Sequence, residues 1–214
     1  MTLAPFLSLD GIDGTGKSTQ CGLLVDWLNA AGVHTVACAD PGGTPLGDQL
    51  RQILLASRAD LSDRAEALLF MASRAELVAR VIRPALESGR IVVSDRFVAA
   101  NVVYQGHAGD LSPDDLWSVG RFSTGGLLPD LTLILDLPAD LAGARRGRTA
   151  DRMEARGQEY LDRVRRGFLA EAARQPDRFG VLDASPDIAT VQTRLREVVT
   201  GFLSDRGIIV KGAP

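Results

Sequence analysis

Residues Gly11-Ile12-Asp13-Gly14-Thr15-Gly16-Lys17-Ser18 have the spacing G-x-x-x-x-G-K-[S/T]. Glycines so placed let the backbone curl until successive N–H groups point at one anion. A helix starting there adds the partial positive charge of its N-terminus. The lysine can reach the β- and γ-phosphates of a nucleoside triphosphate, and the serine hydroxyl can ligate Mg2+. Chance alone gives this match roughly 0.002 times in a chain of this composition. Gly11, Asp13, Gly14, Thr15, Gly16, Lys17, Ser18 and Thr19 are therefore the expected contacts to ATP phosphates. Of 24 basic residues only Lys17 and Lys211 are lysine, which makes the position of Lys17 more telling. Asp13 is the odd member. A carboxylate beside phosphates is either a solvated loop acid or one that faces a sugar hydroxyl or a metal.

Two further clusters could share that site. IVVSDRF (91–97) places Asp95 and Arg96 at the C-terminal end of an apolar strand, the edge where open α/β sheets bind ligands. Asp95 could hold Mg2+ or orient Arg96; Arg96 could grip a phosphate bidentately or form a structural ion pair. In the helical stretch 62–83, Leu68, Met71, Ala72, Ala75, Val78, Ala79 and Ile82 fall on one face, expected to serve the core. Phe70, Arg74, Leu77 and Val81 form a second stripe roughly 130° away. Phe70 one turn before Arg74 suits either a stacked base with a bound anion or plain packing with a salt bridge.

Eight arginines fall within 145–166: Arg145, Arg146, Arg148, Arg152, Arg156, Arg163, Arg165 and Arg166. Glu159–Arg163 and Asp162–Arg166 have the spacing of exposed helical ion pairs. Arg145, Arg146, Arg148 and Arg152 precede that helix, in a solvated loop or in a lid that neutralises charge as the transition state forms.

The elements that must hold these groups alternate regularly. Apolar runs at 5–10, 33–39, 91–95, 131–137 and 179–184 read as strands. Helical spacing covers 17–31, 46–57, 62–88 (interrupted near Pro84), 156–174 and 186–204, and Ser112-Pro113 is a helix start. Strands apolar on both faces, alternating with helices, predict a five-stranded parallel sheet in a three-layer α/β fold. The chain of 214 residues, without low-complexity linkers, is expected to be a single domain over 1–214. A net charge of −3 argues against a general nucleic-acid or acidic-membrane binder. No apolar run is long enough for a membrane span, and MTLAPFLSLD reads as a strand and not a signal peptide. Cys21 and Cys38 lack metal-type spacing and fit buried free thiols of a cytoplasmic protein. A triphosphate site of this kind serves GTPase switches, motor ATPases and small-molecule kinases alike; the length favours a small kinase.

Several blocks decide among these. GIDGTGKST (11–19), DPGGTPLGDQLR (40–51), LLFMASRAEL (68–77), SDRF (94–97), NVVYQG (101–106), PDLTLILD (129–136) and DRMEARGQEYLDRVRRGF (151–168) resemble the thymidylate kinase family of P-loop nucleoside-monophosphate kinases, in order and over nearly the whole chain. The resemblance implies transfer from ATP, with Mg2+, to dTMP, in a homodimer. It implies that Phe70 stacks on thymine, Arg74 contacts the base or its phosphate, and Arg96 binds the acceptor phosphate. Asn101 would face the base edge, with Gln105 beside it, and Tyr104 would crowd the 2′ position. Asp13 would meet the sugar 3′-hydroxyl or acceptor-side magnesium, while Ser18 and Asp95 hold the metal. No basic residue lies at Asp13–Thr15, so catalytic arginines would come from a lid at about 143–156, with Arg148 and Arg152 ahead of Arg145.

The chain departs from the family pattern at Ala39-Asp40 (usually Arg-Glu), Phe97 (Tyr or His), Ala100 (Ser or Thr), Val103 (Ala) and Arg156 (an acid). The first change and Ala100 remove polar groups near the acceptor. That leaves room for a kinase of another or base-modified pyrimidine deoxynucleotide, and, from a different class, for an inactive nucleotide-binding partner. If Arg148 and Arg152 meet charge only on closure, alanine at either should lower kcat with a smaller change in KM. Steady-state kinetics with varied ATP test this; a loss confined to ATP affinity would make them ground-state clamps.

Overall fold

The computed structural model describes residues 3–56, 61–145 and 157–211. Strands β1 (Phe6–Asp10), β2 (Thr35–Ala39), β3 (Ile91–Asp95), β4 (Leu131–Asp136) and β5 (Phe179–Asp183) form one parallel sheet in the order β2-β3-β1-β4-β5. Every residue of β1 is buried, as are all but the last of β3 and β4. Successive strand side chains point to opposite faces, so both faces of the sheet are covered, as the apolar runs required. Because β1 lies between β3 and β4, the loop after β1 emerges between the ends of both neighbours. The register sets Leu9 against Asp95 and Asp10 against Ile134, which brings the acids Asp10 and Asp95 to one edge.

The helices are α1 (Lys17–Ala30), α2 (Pro45–Arg51), α3 (Asp63–Leu77), α4 (Arg83–Glu87), α5 (Val98–Asn101), α6 (Pro113–Ser123), α7 (Ala139–Arg145), α8 (Gln158–Arg174) and α9 (Ile188–Ser204). Wider π turns extend α2 through Gln52–Ala56, join α3 to α4 through Val78–Ile82 and extend α5 through Val102–His107. The Ser62 and Ser112 hydroxyls accept from the amides of Ala65 and Asp115, so both expected helix starts are capped. Helix α8 crosses the 102–107 turn so closely that a Cβ on Gly167 would lie 2.7 Å from His107 Cβ. No helix among the described residues is long and apolar enough to cross a membrane.

The structure corrects the sequence in four places. The buried face of α3 and of the turn after it is shifted from the expected stripe toward the second: Leu68, Ala72 and Ala79 are exposed, whereas Arg74, Leu77 and Ala67 are buried together with Met71, Val78 and Ile82, which stay inside as expected. Polar side chains on the inward face, Glu66, Ser73 and Arg74, make partners there that a hydrophobicity pattern does not anticipate. The helices at 98–107 and 139–145 were not expected. Arg166 donates to the Asp162 carbonyl and forms no ion pair with its carboxylate, while Arg165 makes a two-pronged pair with Asp136 at 2.6 and 2.8 Å. Cys38 is only half-buried, although both cysteines are free. Arg146, Arg148, Arg152 and Arg156, and most of the expected lid, lie outside the described residues.

Candidate active site

Sequence positions far apart meet in one cleft of about 970 Å³ at the C-terminal edge of the sheet. Its lining includes Asp13, Gly14, Gly16, Lys17, Ser18 and Thr19 together with Phe70, Arg74, Asp95, Arg96, Asn101, Tyr104 and Gln105. Gly11 and Thr15 brace the loop from beneath: Thr15 Oγ1 donates to the Ile12 carbonyl at 3.0 Å, and the Gly11 carbonyl accepts from Arg96. Gly14 adopts φ +94°, and a Cβ on it would run into the carbonyl oxygen of Ala142 on α7. No other residue type fits that approach without displacing α7.

Lys17 opens α1 and is 6% exposed. Its Nζ donates to the Ile12 carbonyl at 2.8 Å and lies 3.5 Å from Asp13. Burial and the nearby Arg96 lower its pKa. Ser18 Oγ donates to Asp95 Oδ2 at 2.5 Å, so a hydroxyl and a carboxylate sit side by side next to the phosphate loop. No cluster of three or more His, Cys, Asp or Glu occurs among the described residues, so a cation here would also need oxygens from water or a phosphate.

Arg96 is the one described non-glycine residue with positive φ, at +72°. That conformation costs on the order of 1–2 kcal/mol. Its backbone is held by the Leu9 carbonyl and the Ser94 hydroxyl. The strained turn carries the guanidinium back across the phosphate loop, where it donates to the Gly11 carbonyl at 2.9 Å, Asp13 at 2.6 Å and Tyr104 OH at 3.1 Å. Burial alone would raise the Asp13 pKa, but Arg96 and Lys17 override it and hold the carboxyl well below the usual range. Asp13 is therefore a paired acid and not a solvated one. Tyr104 OH also donates to it at 3.3 Å.

Phe70 lines the cleft as well, and Arg74 is 1% exposed. Arg74 Nε donates to Asp40 Oδ2 at 2.5 Å, Nη1 donates to Asn101 Oδ1 at 3.0 Å, and Phe97 lies beneath the guanidinium. Two of the family departures thus support Arg74. Asp40 is not a lost polar group; Ala39, exposed at the cleft, is the position that lacks one. Arg145 donates to the carbonyls of Ala184 and Ser185, both at 2.6 Å, which commits its guanidinium to the loop after β5.

Sequence reasoning missed Asp10 and Glu66. Asp10 is fully buried, neither carboxylate oxygen has a hydrogen-bond partner, and Arg96 Nη1 is 4.0 Å away. Burial, only partly offset by Arg96 and Lys17, pushes its pKa up to about 7. The available signal was an acid ending an otherwise apolar strand.

The family model described as Thymidylate kinase matches residues 9–195. This chain belongs to the thymidylate kinase family. It is 47% identical to a thymidylate kinase of Rhodopirellula baltica over 185 residues, covering 86% of this chain and 76% of that one. It is 45% identical to a thymidylate kinase of Symbiobacterium thermophilum, covering 95% and 96% of the two chains. Among solved structures, the thymidylate kinase from Ehrlichia chaffeensis superposes with a TM-score of 0.75 at 29% identity, covering 92% of this chain and 98% of that one. The five-stranded α/β sheet with its phosphate loop is thus the fold of a thymidylate kinase family enzyme, a nucleoside-monophosphate kinase.

Asp10 sets a pH dependence of stability. A raised carboxyl pKa costs nothing below the unfolded value near 4 and the full amount above about 7, on the order of 4 kcal/mol. Asp10→Asn should therefore stabilise the fold more at pH 8 than at pH 5. Chemical denaturation at both pH values checks this; an equal difference at the two would exclude Asp10 as the group.

Proposed function

We propose that the chain, as a single kinase domain, transfers the γ-phosphoryl group of ATP to the phosphate of dTMP, giving dTDP and ADP. The observation that carries this is the meeting, in one cleft, of a phosphate loop with a second anion site at Arg96 and an aromatic-lined wall at Phe70. ATP lies with its phosphates on the 11–19 loop. Lys17 contacts the β- and γ-oxygens. Ser18 and Asp95 would hold a magnesium ion, which when bound supplies positive charge to those phosphates. The dTMP base stacks on Phe70 with its edge toward Arg74, Asn101 and Gln105. The acceptor phosphate takes donors of Arg96, Asp13 meets the 3′-hydroxyl, and Tyr104 crowds the 2′ position. An acceptor phosphate is already anionic, so no strong base is needed; positioning and charge neutralisation do the work. Arg148 and Arg152 add charge from the lid.

A homodimer fits the outward stripe of α3, where Leu68 is 57% exposed beside Ala72 and Ala79, with Phe122 on the neighbouring α6 at 86%. Two free thiols suit a cytoplasmic location. The inactive-partner alternative is disfavoured by the intact Lys17, Ser18 and Arg96 in one cleft.

Lys17→Ala should abolish turnover in a folded protein, because losing that contact costs about 3 kcal/mol of transition-state energy, roughly 10²-fold or more. A coupled assay with ATP and dTMP reads it, and a folded variant within threefold of wild type would remove the phosphate-loop assignment. With Ala39 and Ala100 lining the cleft, dTMP should be preferred over dUMP and 5-substituted dUMP less strongly than in the family at large, while Tyr104 still disfavours UMP. The check is kcat/KM across those four acceptors; preference for dTMP over every deoxy analogue by more than about 10³-fold would show the departures to be neutral.

A further inference from the structure

The ground beneath the phosphate loop holds more acids than bases. Asp10 ends β1 with its side chain wholly buried and neither oxygen hydrogen-bonded among the described residues. Arg96 Nη1 lies 4.0 Å from Asp10 Oδ1, within reach of attraction across a dry interior but too far for a hydrogen bond. The other charges that act on Asp10 come from Lys17 on α1, Asp95 on β3 and Arg74 on α3. Arg74 is paired with Asp40, and Asp136, the one acid of β4, is paired with Arg165. Asp13 draws on the same two cations as Asp10, at 2.6 Å from Arg96 and 3.5 Å from Lys17. Asp95 stands in register with Leu9, so its side chain leaves the opposite face of the sheet from that of Asp10.

With every group ionised, two cations, Arg96 and Lys17, face three acids, Asp10, Asp13 and Asp95, which leaves a net charge of −1. These two cations are the ones that receive phosphates in the reading above. A phosphate drawn to either brings more negative charge into a site where charges are poorly screened. Asp13 touches both cations directly, and Asp95 accepts from the Ser18 hydroxyl. Asp10 has only attraction at a distance to support its charge, so it is the acid that gives that charge up first. Once neutral, it leaves the cluster at zero and removes one repulsion from the entering phosphate.

We propose that Asp10 takes up a proton from solvent when a nucleotide binds, which reduces the negative charge the phosphates meet and couples the donor and acceptor subsites. The proton adds to one carboxylate oxygen and leaves a neutral carboxyl group. By linkage, whatever favours the proton favours the nucleotide to the same extent. A proton taken up with the first nucleotide is already in place for the second. The pH window follows from the Asp10 pKa of about 7 in the free protein. Below it the acid is neutral before anything binds; above it the proton has to come from solvent. This rests on the placing of phosphates at Lys17 and Arg96 argued above.

The test is titration calorimetry of ADP and of dTMP, each alone, with EDTA at pH 8, where the nucleotide phosphates are fully ionised. Two buffers of different ionisation enthalpy give the number of protons exchanged. Wild type should take up about half a proton or more per nucleotide, and its Kd should weaken about threefold or more per pH unit above 8. Asp10→Asn should take up none and hold a constant Kd over that range. Uptake with dTMP should fall in protein already saturated with ADP. If Asp10→Asn does not fold, wild type is read from pH 6 to 8, where uptake should rise as the free acid ionises. No uptake in wild type, equal uptake in Asp10→Asn, or uptake that stays flat from pH 6 to 8 overturns the proposal; uptake with dTMP unaltered by ADP overturns the coupling. dTMP that fails to bind while ADP binds would instead overturn the acceptor reading, and the ADP titration would still decide this one.

Discussion

One guanidinium ties the working parts of this molecule together. Arg96 reaches from the end of β3 to the Gly11 carbonyl and the Asp13 carboxylate of the phosphate loop, and to Tyr104 on the turn after α5. The phosphate loop and the stretch from β3 to the turn after α5, 83 and 85 residues apart at the two contacts to the loop, are thus referred to a single charge. Around it stand Asp10, Asp13 and Lys17, and their ionisation is mutually dependent. Burial makes each charge expensive alone and strengthens its attraction to the others. The left-handed backbone at Arg96 is the cost of aiming that group at the loop and not along its own strand.

The wall of the cleft around Arg74 is built on the same logic with less net charge. Arg74 is buried among core side chains, yet it is paired with Asp40 and backed by the Phe97 ring. A rigid, paired guanidinium can present its remaining donors in a fixed direction, which a solvated one cannot. Behind α5, the Tyr160 hydroxyl donates to the Tyr104 carbonyl and Glu171 accepts from both Trp117 and His107, so the turn carrying the cleft-lining side chains is anchored on α8 and α6.

Much of this was legible in the sequence. The five strands, the phosphate loop and the residues that converge on the cleft follow from apolar runs, glycine spacing and the family blocks. The helix over 98–107 did not, because VAANVVYQGH has no face exposed to solvent: Val98 through Gly106 are all buried, and a helix covered on every side loses the periodicity by which helices are read. The rotation of α3 failed for the converse reason, since Glu66, Ser73 and Arg74 occupy its inward face while alanines and Leu68 look out. Asp10 and Glu66 carry no spacing signature at all. Their importance comes from burial, which only the folded chain creates.

The packing of Gly14 on the Ala142 carbonyl bears on how this lineage can change. No side chain fits at position 14 while α7 keeps its place, so a cation cannot be added there by one substitution. A chain that moved its transition-state cation into that corner of the loop would first have to displace α7, and α7 is moored through Arg145 to the loop after β5. The two changes would have to arrive together. Steric exclusion at one backbone atom therefore acts as a barrier between evolutionary solutions to the same chemistry.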